Sequence, residues 1–566
     1  MGVNRRDLLG IAVIGSVAAT LPARASGAKT STKPATLAIR NKAGRDYGEA
    51  LERLRDYAAA ELDAIGLPGM TISVVDADGF TASLSVGWSD VDKRLPVTPG
   101  QLFQIGSISK SISGLWLHAA QDKGLIDLSA PVSRYLAGVP LPAQTMTVQQ
   151  LLNHAGGLAH DAPVFPRTPD GKLWTGFKPG ARMSYSNIGY AMLGLIIGNV
   201  SGKPHFRALE DDVLKPLGMT GATAHIRTAD RDRYAMGYVP IREDGVAMSR
   251  AALIPGPWTE SDNAAGAVAA SADGMAGYLR YLLALGAGKG GPLMSDAAAK
   301  KMLADDITSS EFGSDARYAS GIATVQIDGK PALHHTGGMT LFSSAFHADP
   351  VAGVACFASV NGRLISYRPR LTTIYAIQLM RAVVAGTALP PPPDPIGFRR
   401  VPTPERYAGT FVGPEGRSVT LRATGAGLVL ADKNGEGRIE LSGKDSLATD
   451  HPGYAAHQLD FEGAKADRFW WGDTLFGRDA APPQPIAVAA LKPLAGDYSS
   501  SDGTFVVLAR GGTLVAEGAG EFVRRPGGFW SPKEDVGGVT RVWFDGAVNG
   551  VPSRLIFCGM DFIRIT

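Results

Sequence analysis

Hydrophobic and polar positions divide the chain into two parts with different periodicity. Up to about residue 389, apolar residues recur mainly at helical spacing, with a few short β-type runs between them. Beyond that point, short alternating runs, aromatic residues and glycine-rich turns dominate. A proline cluster at 390–395 lies between the two parts and marks a boundary, since such a segment is stiff and extended. We therefore predict a mixed domain of helices and strands, followed by all-β structure.

The first part predicts strands at both of its ends. An amphipathic helix at 46–65 precedes a strand–turn–strand unit at 70–75 and 80–87. A second strand pair is predicted at 341–348 and 354–360, before a closing helix at 367–384. Strands at the two ends with helices between them favour one antiparallel sheet, flanked by helices and assembled from both ends of an α+β domain.

The all-β part contains an internal repeat. A second proline cluster at 481–485 divides it into two pieces of similar size, and segment 407–411 matches 494–498. Further along, 419–421 matches 506–508 and 459–463 matches 542–546. Two copies of a small antiparallel β-barrel or sandwich are predicted.

The predicted domain boundaries follow these divisions. They are a signal segment at 1–25, a first domain at 46–389, and two β domains at 396–480 and 486–566.

Composition excludes several classes of protein. The 566 residues are 45% hydrophobic and 19% charged, with a formal net charge of +3, which is typical of a globular protein. Neither a nucleic-acid partner nor a membrane-surface partner is indicated by so small a charge. Cys356 and Cys558 lie in apolar runs far apart, so we expect two buried free thiols; no spacing typical of a zinc site occurs.

The first 25 residues have the pattern of an export signal. Arg5 and Arg6 precede an apolar stretch from Leu8 to Ala19, and an A-x-A cleavage motif ends at Ala25. The apolar stretch is shorter than the ~20 residues that a membrane-spanning helix needs. We expect twin-arginine export of the folded protein to the periplasm or beyond, and a polar leader without regular structure at 26–45.

The first candidate for chemistry is a Ser-x-x-Lys motif at Ser107 and Lys110. It opens an amphipathic helix, and residues three apart share one face of a helical turn. A serine becomes a nucleophile when a base lies beside it, and lysine is one such base. The alternative interpretation is a helix-capping serine followed by a solvated lysine.

Two further segments carry polar side chains suited to acyl transfer. Tyr185 and Asn187 precede an apolar helix, which would place a phenol and a carboxamide on one loop; a buried tyrosine and an asparagine cap are the alternative. His335, Thr336, Gly337 and Gly338 enter the second strand pair, where glycines allow a substrate backbone to approach. The adjacent histidines there would point to opposite faces of a strand, which argues against a metal site.

The segment 148–158 is predicted to be structural. Its leucines are typical of a core, and His154 is interpreted as a buried structural histidine and not as a catalyst.

The order of these motifs resembles the serine β-lactamase and penicillin-recognising hydrolase family. Ser-x-x-Lys, Tyr-x-Asn and a His-Thr-Gly strand follow one another at the family's spacing, over residues 46–385. The branch that this chain resembles contains class C-type β-lactamases, D-aminopeptidases and esterases. The resemblance implies a β-lactamase-like catalytic domain, followed here by the two β domains.

The same resemblance implies a mechanism. Ser107 would form an acyl-enzyme, with Lys110 and Tyr185 exchanging its proton and Asn187 holding the substrate amide. The backbone N–H groups of Ser107 and Gly338 would form the oxyanion hole. Lys110 would either be kept from full protonation or hand its charge to Tyr185. No metal or organic cofactor is required.

One residue departs from the lactamase pattern. His335 stands where β-lactamases and D-alanyl-D-alanine carboxypeptidases carry a lysine, and histidine is mostly neutral near pH 7. The departure lowers the expectation of β-lactamase action and favours the D-aminopeptidase arrangement, in which flanking barrels restrict the cleft. We therefore predict a peptidase or amidase for small or D-residue-containing peptides. The alternatives are a carboxylesterase or lactonase, and a penicillin-binding protein. An oligomer is also possible.

Overall fold

The computed structural model describes residues 33–41, 44–241, 246–425, 427–500 and 503–565. It contains an α+β domain with an antiparallel sheet flanked by helices, and then two closed eight-stranded barrels. The predicted fold class is therefore confirmed, with barrels in place of the alternative sandwiches. The predicted export signal at 1–25 lies outside the described residues.

The strands of the first domain form one large sheet and a few short pairs. They are β1 (Ala35–Asn41), β2 (Gly69–Asp76), β3 (Thr81–Asp90), β4 (Leu95–Pro96), β5 (Phe103–Gln104), β6 (Tyr238–Pro240), β7 (Leu253–Pro255), β8 (Ala269–Ala270), β9 (Ile307–Ser309), β10 (Ala316–Ala319), β11 (Ile322–Ile327), β12 (Lys330–Gly338), β13 (Ser343–Asp349) and β14 (Val354–Val360). The large sheet has the order β1-β3-β2-β14-β13-β12-β11-β10-β9, with β4 added to β3.

The centre of the sheet joins the two ends of the domain. Strand β2 pairs antiparallel with β14, so that Met70 lies opposite Val360. Along β14, Cys356 and Ala358 face one hydrophobic core, whereas Phe357 faces the other. This alternation is the period of two that a strand imposes on its side chains. The predicted assembly of the sheet from both ends of the domain is confirmed.

Helices cover both faces of this sheet. They are α1 (Gly48–Ile65), α2 (Ser109–Asp122), α3 (Val148–Leu152), α4 (Asn187–Ser201), α5 (His205–Leu209), α6 (Ala272–Gly286), α7 (Asp296–Ala304) and α8 (Arg370–Ala385). Helices α1 and α8 pack on one face, whereas α2, α4 and α6 form the core on the other. The site described below lies at the edge of that second core.

One prediction about local structure was wrong. Residues 35–41 form the edge strand β1, which pairs with β3, although the segment 26–45 was expected to lack regular structure. The segment around His335, which was interpreted as part of a strand, lies within β12 and is paired on both sides. In contrast, Cys356 and Cys558 are buried free thiols, as predicted.

The two barrels share one strand plan. The first consists of β15 (Gly409–Val412), β16 (Ser418–Thr424), β17 (Gly427–Asp432), β18 (Gly435–Leu441), β19 (Ser446–Thr449), β20 (Leu459–Glu462), β21 (Arg468–Trp471) and β22 (Thr474–Arg478). The second consists of β23 (Gly496–Ser500), β24 (Gly503–Arg510), β25 (Thr513–Ala516), β26 (Gly520–Arg524), β27 (Trp530–Pro532), β28 (Val542–Val548), β29 (Val551–Phe557) and β30 (Met560–Arg564). The repeated sequence segments fall on the first, second and sixth strands of each barrel, which explains the repeat.

The second barrel packs against a long loop of the first domain. This loop spans residues 153–186, between α3 and α4, and we call it the site loop. Its Trp174 belongs to the core of the second barrel and donates a hydrogen bond from Nε1 to the Val539 carbonyl at 2.8 Å. Arg167 of the same loop forms an ion pair with Asp561 at 2.6 Å. The second barrel therefore helps to hold the site loop in place.

Among the described residues, no helix is both long enough and apolar enough to cross a lipid bilayer. In the same part of the chain, no group of three or more histidine, cysteine or carboxylate side chains is placed to hold a metal ion.

Candidate active site

Ser107 lies in a short 3₁₀ turn, Gly106–Ile108, that leads directly into α2. Its side chain is half-buried, whereas the turn around it is closely packed against β12. Gly106 has a φ of +56°, and a Cβ there would lie 2.5 Å from the backbone nitrogen of Gly338. Only glycine allows this approach, which brings the end of β12 beside the serine.

Lys110 lies one turn further along, with its ammonium group buried in the core. Its Nζ lies 3.0 Å from Ser107 Oγ, and it donates hydrogen bonds to Asn187 Oδ1 at 2.6 Å and to the Ala265 carbonyl at 2.9 Å. Burial lowers the pKa of Lys110 to about 7, although the charge of Asp161 acts in the opposite direction. Near neutral pH a large fraction of this lysine is therefore the free amine, which is a base.

Tyr185 covers the amine of Lys110. The ring centroid lies 4.9 Å from Lys110 Nζ, and the phenol lies close enough to the Ser107 side chain to affect its own pKa. Burial raises the pKa of Tyr185 well above its usual value, so the group remains a phenol. Its backbone N–H donates to Glu311 Oε1 at 2.9 Å, and its ring centroid lies 4.1 Å from that of His154, with the two rings tilted by 33°.

His154 lies beneath this tyrosine. Its Nδ1 accepts a hydrogen bond from the Ser186 N–H at 3.0 Å, while Nε2 lies 3.1 Å from the Tyr318 hydroxyl. Burial and nearby cations lower the pKa of His154 well below its ordinary value, so the ring is neutral. These contacts are those of a residue that supports the tyrosine, in line with the predicted structural role.

Asn187 is the first residue of α4, and the hydroxyl of Ser186 caps that helix through the Gly189 N–H. The capping places the carboxamide at the helix start, where its oxygen accepts from Lys110. Its Nδ2 donates to Asp161 Oδ1 at 2.9 Å. The carboxamide thus connects the lysine to a carboxylate of the site loop.

The end of β12 forms the opposite wall. Gly337 is packed so closely that a Cβ would lie 1.8 Å from the Ile105 carbonyl, just before the 3₁₀ turn. Gly338, the last residue of the strand, pairs with Ser343 of β13. Thr336 is half-buried, and its carbonyl lies 2.6 Å from His335 Nδ1.

His335 is buried and does not supply a positive charge. Burial, together with the charge of Lys110, lowers the pKa of His335 to about 3, and its Nε2 lies 3.2 Å from the Tyr318 hydroxyl. The side chain lines the site wall, with its ring centroid 6.2 Å from that of Tyr185. All eight predicted site residues thus lie around one position, although they come from three segments.

Sequence reasoning missed a charged pair beside Asn187. His160 and Asp161 of the site loop form a hydrogen bond of 2.5 Å between Nδ1 and Oδ2. Although burial disfavours both charges, the pair raises the pKa of His160 and lowers that of Asp161. The two residues directly follow the segment 148–158 in sequence, but no pattern indicated that they reach the site.

Sequence reasoning also missed Arg368. A Cβ on Gly338 would lie 2.2 Å from its Nη2, so the guanidinium lies against the end of β12. Burial lowers the pKa of Arg368 to about 10, which leaves the group charged at neutral pH. The fixed positive charge that His335 does not provide is therefore present from a different element. Arg368 lies just before α8, in a different segment from the other site residues. Its place beside the site is therefore visible only in the structure.

Together these groups form a nucleophile with a buried base, a phenol, a carboxamide and backbone donors at a strand end. Such a set, on a sheet-and-helix domain of this topology, defines a serine hydrolase architecture. The sequence pattern of the beta-lactamase family matches residues 54–378. The chain belongs to the beta-lactamase family.

Individual relatives agree with this placement. The chain is 29% identical over 179 residues to a beta-lactamase of Providencia stuartii, a match that covers 30% of this chain and 46% of that protein. It is also 29% identical over 174 residues to a penicillin-binding protein of Bacillus subtilis (strain 168), covering 27% of this chain and 38% of that one. The matches thus span less than half the length of these relatives.

A solved structure is similar over a larger share of the chain. The octameric penicillin-binding protein homologue from Pyrococcus abyssi aligns with a TM-score of 0.52 and 21% identity, covering 75% of this chain and 99% of that one. At this identity the likeness concerns the fold.

Proposed function

We propose that this protein hydrolyses amide bonds of small peptides, including peptides with D-residues, through an acyl-enzyme on Ser107. The observation that carries the proposal is the contact of 3.0 Å between Ser107 Oγ and the buried amine of Lys110. A lysine with a pKa of about 7 is half in its base form at neutral pH, which suits proton abstraction from a serine.

The reaction would proceed in two halves. Lys110 takes the proton of Ser107 as Oγ attacks the substrate carbonyl, and the backbone donors of Ser107 and Gly338 receive the oxyanion. The C–N bond then breaks, and the leaving nitrogen takes a proton relayed from Lys110 through the phenol of Tyr185. In the second half, water attacks the ester and Ser107 regains its proton. Asn187 holds the amide of the substrate throughout.

One observation favours a second candidate. Arg368 lies against Gly338, where it could pair with a carboxylate on the leaving-group side of the substrate. A carboxypeptidase or a penicillin-binding protein would use such a charge. The charge of Arg368 therefore supports a carboxypeptidase or penicillin-binding protein as the second candidate, whereas the neutral His335 taken alone argues against it.

A turnover screen tests the proposal. D- and L-amino-acid amides, dipeptides, short-chain esters and a cephalosporin would be compared with the same protein carrying Ser107→Ala. We expect amide turnover that is lost in the variant. Turnover of esters alone would favour an esterase, and a stable acyl-enzyme with the cephalosporin would favour a penicillin-binding protein. Activity that survives Ser107→Ala would contradict the acyl-enzyme itself.

A further inference from the structure

The two-residue turn between β10 and β11 packs directly against the backbone of Lys110. It consists of Ser320 and Gly321, whose φ angles of +48° and +92° are those of a tight hairpin turn. A Cβ on Gly321 would lie 2.5 Å from the carbonyl carbon of Lys110. A Cβ on Gly114, one turn further along α2, would overlap the Ser320 carbonyl. The turn and the helix therefore interlock through two glycines, so a displacement of the turn would move the helix that carries the base.

Three side chains hold this turn in place. His118 Nε2 lies 2.8 Å from Ser320 Oγ, and the Ser320 N–H donates to Asn153 Oδ1 at 3.0 Å. Gln149 Nε2 donates to Ser320 Oγ at 3.3 Å and to Asn153 Oδ1 at 3.1 Å. Because His118, Ser320 and Asn153 are buried, these bonds are shielded from water. We call these four residues the buried network.

The buried network adjoins the residue that holds Tyr185. Asn153 directly precedes His154, which has a φ of +55°. The His154 carbonyl accepts from the Ser184 N–H at 2.9 Å, and its Nδ1 accepts from the Ser186 N–H at 3.0 Å. His154 therefore binds the backbone on both sides of Tyr185. A displacement of Asn153 would reach the phenol as well as the amine of the site.

We propose that His118, Ser320 and Asn153 are positioning residues that fix the amine of Lys110 and the phenol of Tyr185 relative to each other. One arm of the buried network acts through the turn on α2, and the other acts through His154. Their role rests on the proposed function, because they act only through its proton-transferring pair. Three buried side chains that the mechanism above does not use thereby gain a part in the reaction.

Proton transfer requires such accuracy. Transfer among Ser107, Lys110 and Tyr185 needs each donor within hydrogen-bond reach of its acceptor, and a displacement of about 1 Å can reduce a rate by about 100-fold. Lys110 also depends on burial for its free-amine form, since exposure would return its pKa toward the ordinary value of a lysine. A loosened turn should therefore change both the rate and the pH at which the base form appears.

The test measures the pH profile of an activated ester in variants of the buried network. The kcat/KM for p-nitrophenyl acetate is measured from pH 5 to 9 in the full-length protein, with the rate of Ser107→Ala subtracted. His118→Phe keeps an aromatic ring and removes its hydrogen bond. Ser320→Gly removes the hydroxyl on the other side of that bond and permits the same backbone angles.

Neither exchange alters a charge near Lys110. Burial lowers the pKa of His118 to about 4, so its ring is neutral over the measured range. The titratable groups around the Lys110 amine stay as they are in both variants; they are Asp161, His154, His160, His335, Tyr185 and Tyr190. A change in the profile would therefore report geometry and burial.

We expect both variants to lose about tenfold in kcat/KM on the plateau. The midpoint of the profile should move from about pH 7 to between roughly pH 7.5 and 8, because Lys110 becomes less buried. Since the two exchanges remove the same hydrogen bond, the double variant should be no worse than either single one. His118→Gln, whose amide can bond to Ser320 Oγ, should move the midpoint back toward the native value. Ser320→Gly carries the test by itself should His118→Phe fail to fold.

Tyr278→Phe is the matched control. The Tyr278 hydroxyl is equally buried and lies 2.5 Å from Ser111 Oγ, so its removal deletes a buried hydrogen bond to α2 and leaves the buried network intact. It should lower the Tm by a similar amount without a change in the midpoint. An equal shift of the midpoint in Tyr278→Phe would overturn the inference, because any weakening of α2 would then have the same effect. Native midpoints and plateau rates in His118→Phe and Ser320→Gly, with a lowered Tm, would show that the network is only structural.

The proposed function fails separately. If Ser107→Ala retains the ester hydrolysis, the acyl-enzyme on Ser107 is wrong. If hydrolysis depends on Ser107 but the network variants behave like Tyr278→Phe, the acyl-enzyme stands and the positioning role is wrong.

Discussion

At the scale of single residues, the buried amine of Lys110 controls the expected pH dependence of the reaction. Burial lowers its pKa to about 7, and only the deprotonated form can take a proton from Ser107. We therefore expect kcat/KM to rise about tenfold per pH unit below pH 7 and to level off above it, as a single ionisation requires. Initial rates between pH 5 and 9 with a neutral ester would measure this profile.

Substitution of the lysine separates its charge from its basicity. Lys110→Arg keeps a cation that cannot be deprotonated, and Lys110→Met removes the charge. Because the proposal needs a base, both variants should lose about 10²- to 10⁴-fold in kcat/KM. An arginine variant with near-native rates would show that the group acts only through its charge.

Glu61 on α1 gives a prediction about stability. Its side chain is fully buried, with a hydrogen bond from Thr372, and burial raises its pKa to about 8. The folded protein therefore retains a proton that the unfolded chain releases above about pH 4.3, so this group makes the free energy of unfolding fall between about pH 4.3 and 8. Glu61→Gln removes that titration, so its Tm relative to the native protein should increase from pH 5 to pH 8.

Glu52→Gln, at an exposed position of the same helix, is the control for this measurement. Its Tm difference should be the same at both pH values. A Glu61→Gln difference that does not change with pH would rule out the proposed titration.

The residues that the sequence revealed are those whose partners are local or belong to short motifs. Ser107 and Lys110 lie one helical turn apart, so their contact follows from helix geometry alone. Asp161 and Arg368 lie in irregular segments, and they reach the site only because the site loop and the start of α8 converge there. No periodicity or spacing encodes that convergence.

At the scale of elements, the approach of β12 to the 3₁₀ turn depends on glycine. A Cβ at Gly337 would lie 1.8 Å from the Ile105 carbonyl, which is backbone and cannot rotate away. Gly337→Ala should therefore move β12 away from the 3₁₀ turn. We expect the free energy of unfolding to fall by about 1–3 kcal/mol, and kcat/KM to be reduced more strongly than the stability is. Thermal unfolding and initial rates measure the two effects.

Gly100→Ala provides the comparison, since a Cβ at this position meets open space. It should leave both quantities within the error of measurement. Native activity in Gly337→Ala would show that the turn tolerates displacement.

Elements with a clear pattern were predicted well, and the errors have physical causes. Helix α1 and strands β2, β3, β13 and β14 have strong periodicity or β-branched runs, and the structure places them near their predicted bounds. Strand β1 is partly exposed at the edge of the sheet, and it gains its structure by pairing with β3. Strands β9 to β11 were missed; β9 and β10 have only three and four residues, which are too few for a clear periodic pattern.

At the scale of the whole molecule, the second barrel supports the site without supplying any of the proposed catalytic groups. Trp174 of the site loop is buried in the barrel core, so Trp174→Ala should leave a cavity and loosen the segment that carries Asp161. We expect a loss of kcat/KM for all substrates and faster proteolysis within residues 153–186. Trp174→Phe, which loses mainly the bond to Val539, should cost only about 1 kcal/mol.

Intact activity together with unchanged proteolysis in Trp174→Ala would show that the barrel and the site act independently. A change in substrate preference without a loss of rate would instead favour the barrel as a restriction on the cleft.

The pairing of β2 with β14 has a consequence for the time course of synthesis. Met70 lies opposite Val360, so the centre of the sheet cannot close until the ribosome has made nearly the whole domain. Because the ribosome adds about 5–20 residues per second, β14 is synthesised on the order of 15–60 s after β2 and β3. During that interval an apolar hairpin has an unpaired edge, which is a site for aggregation. The nascent chain should therefore bind chaperones most strongly before residue 360 leaves the ribosome.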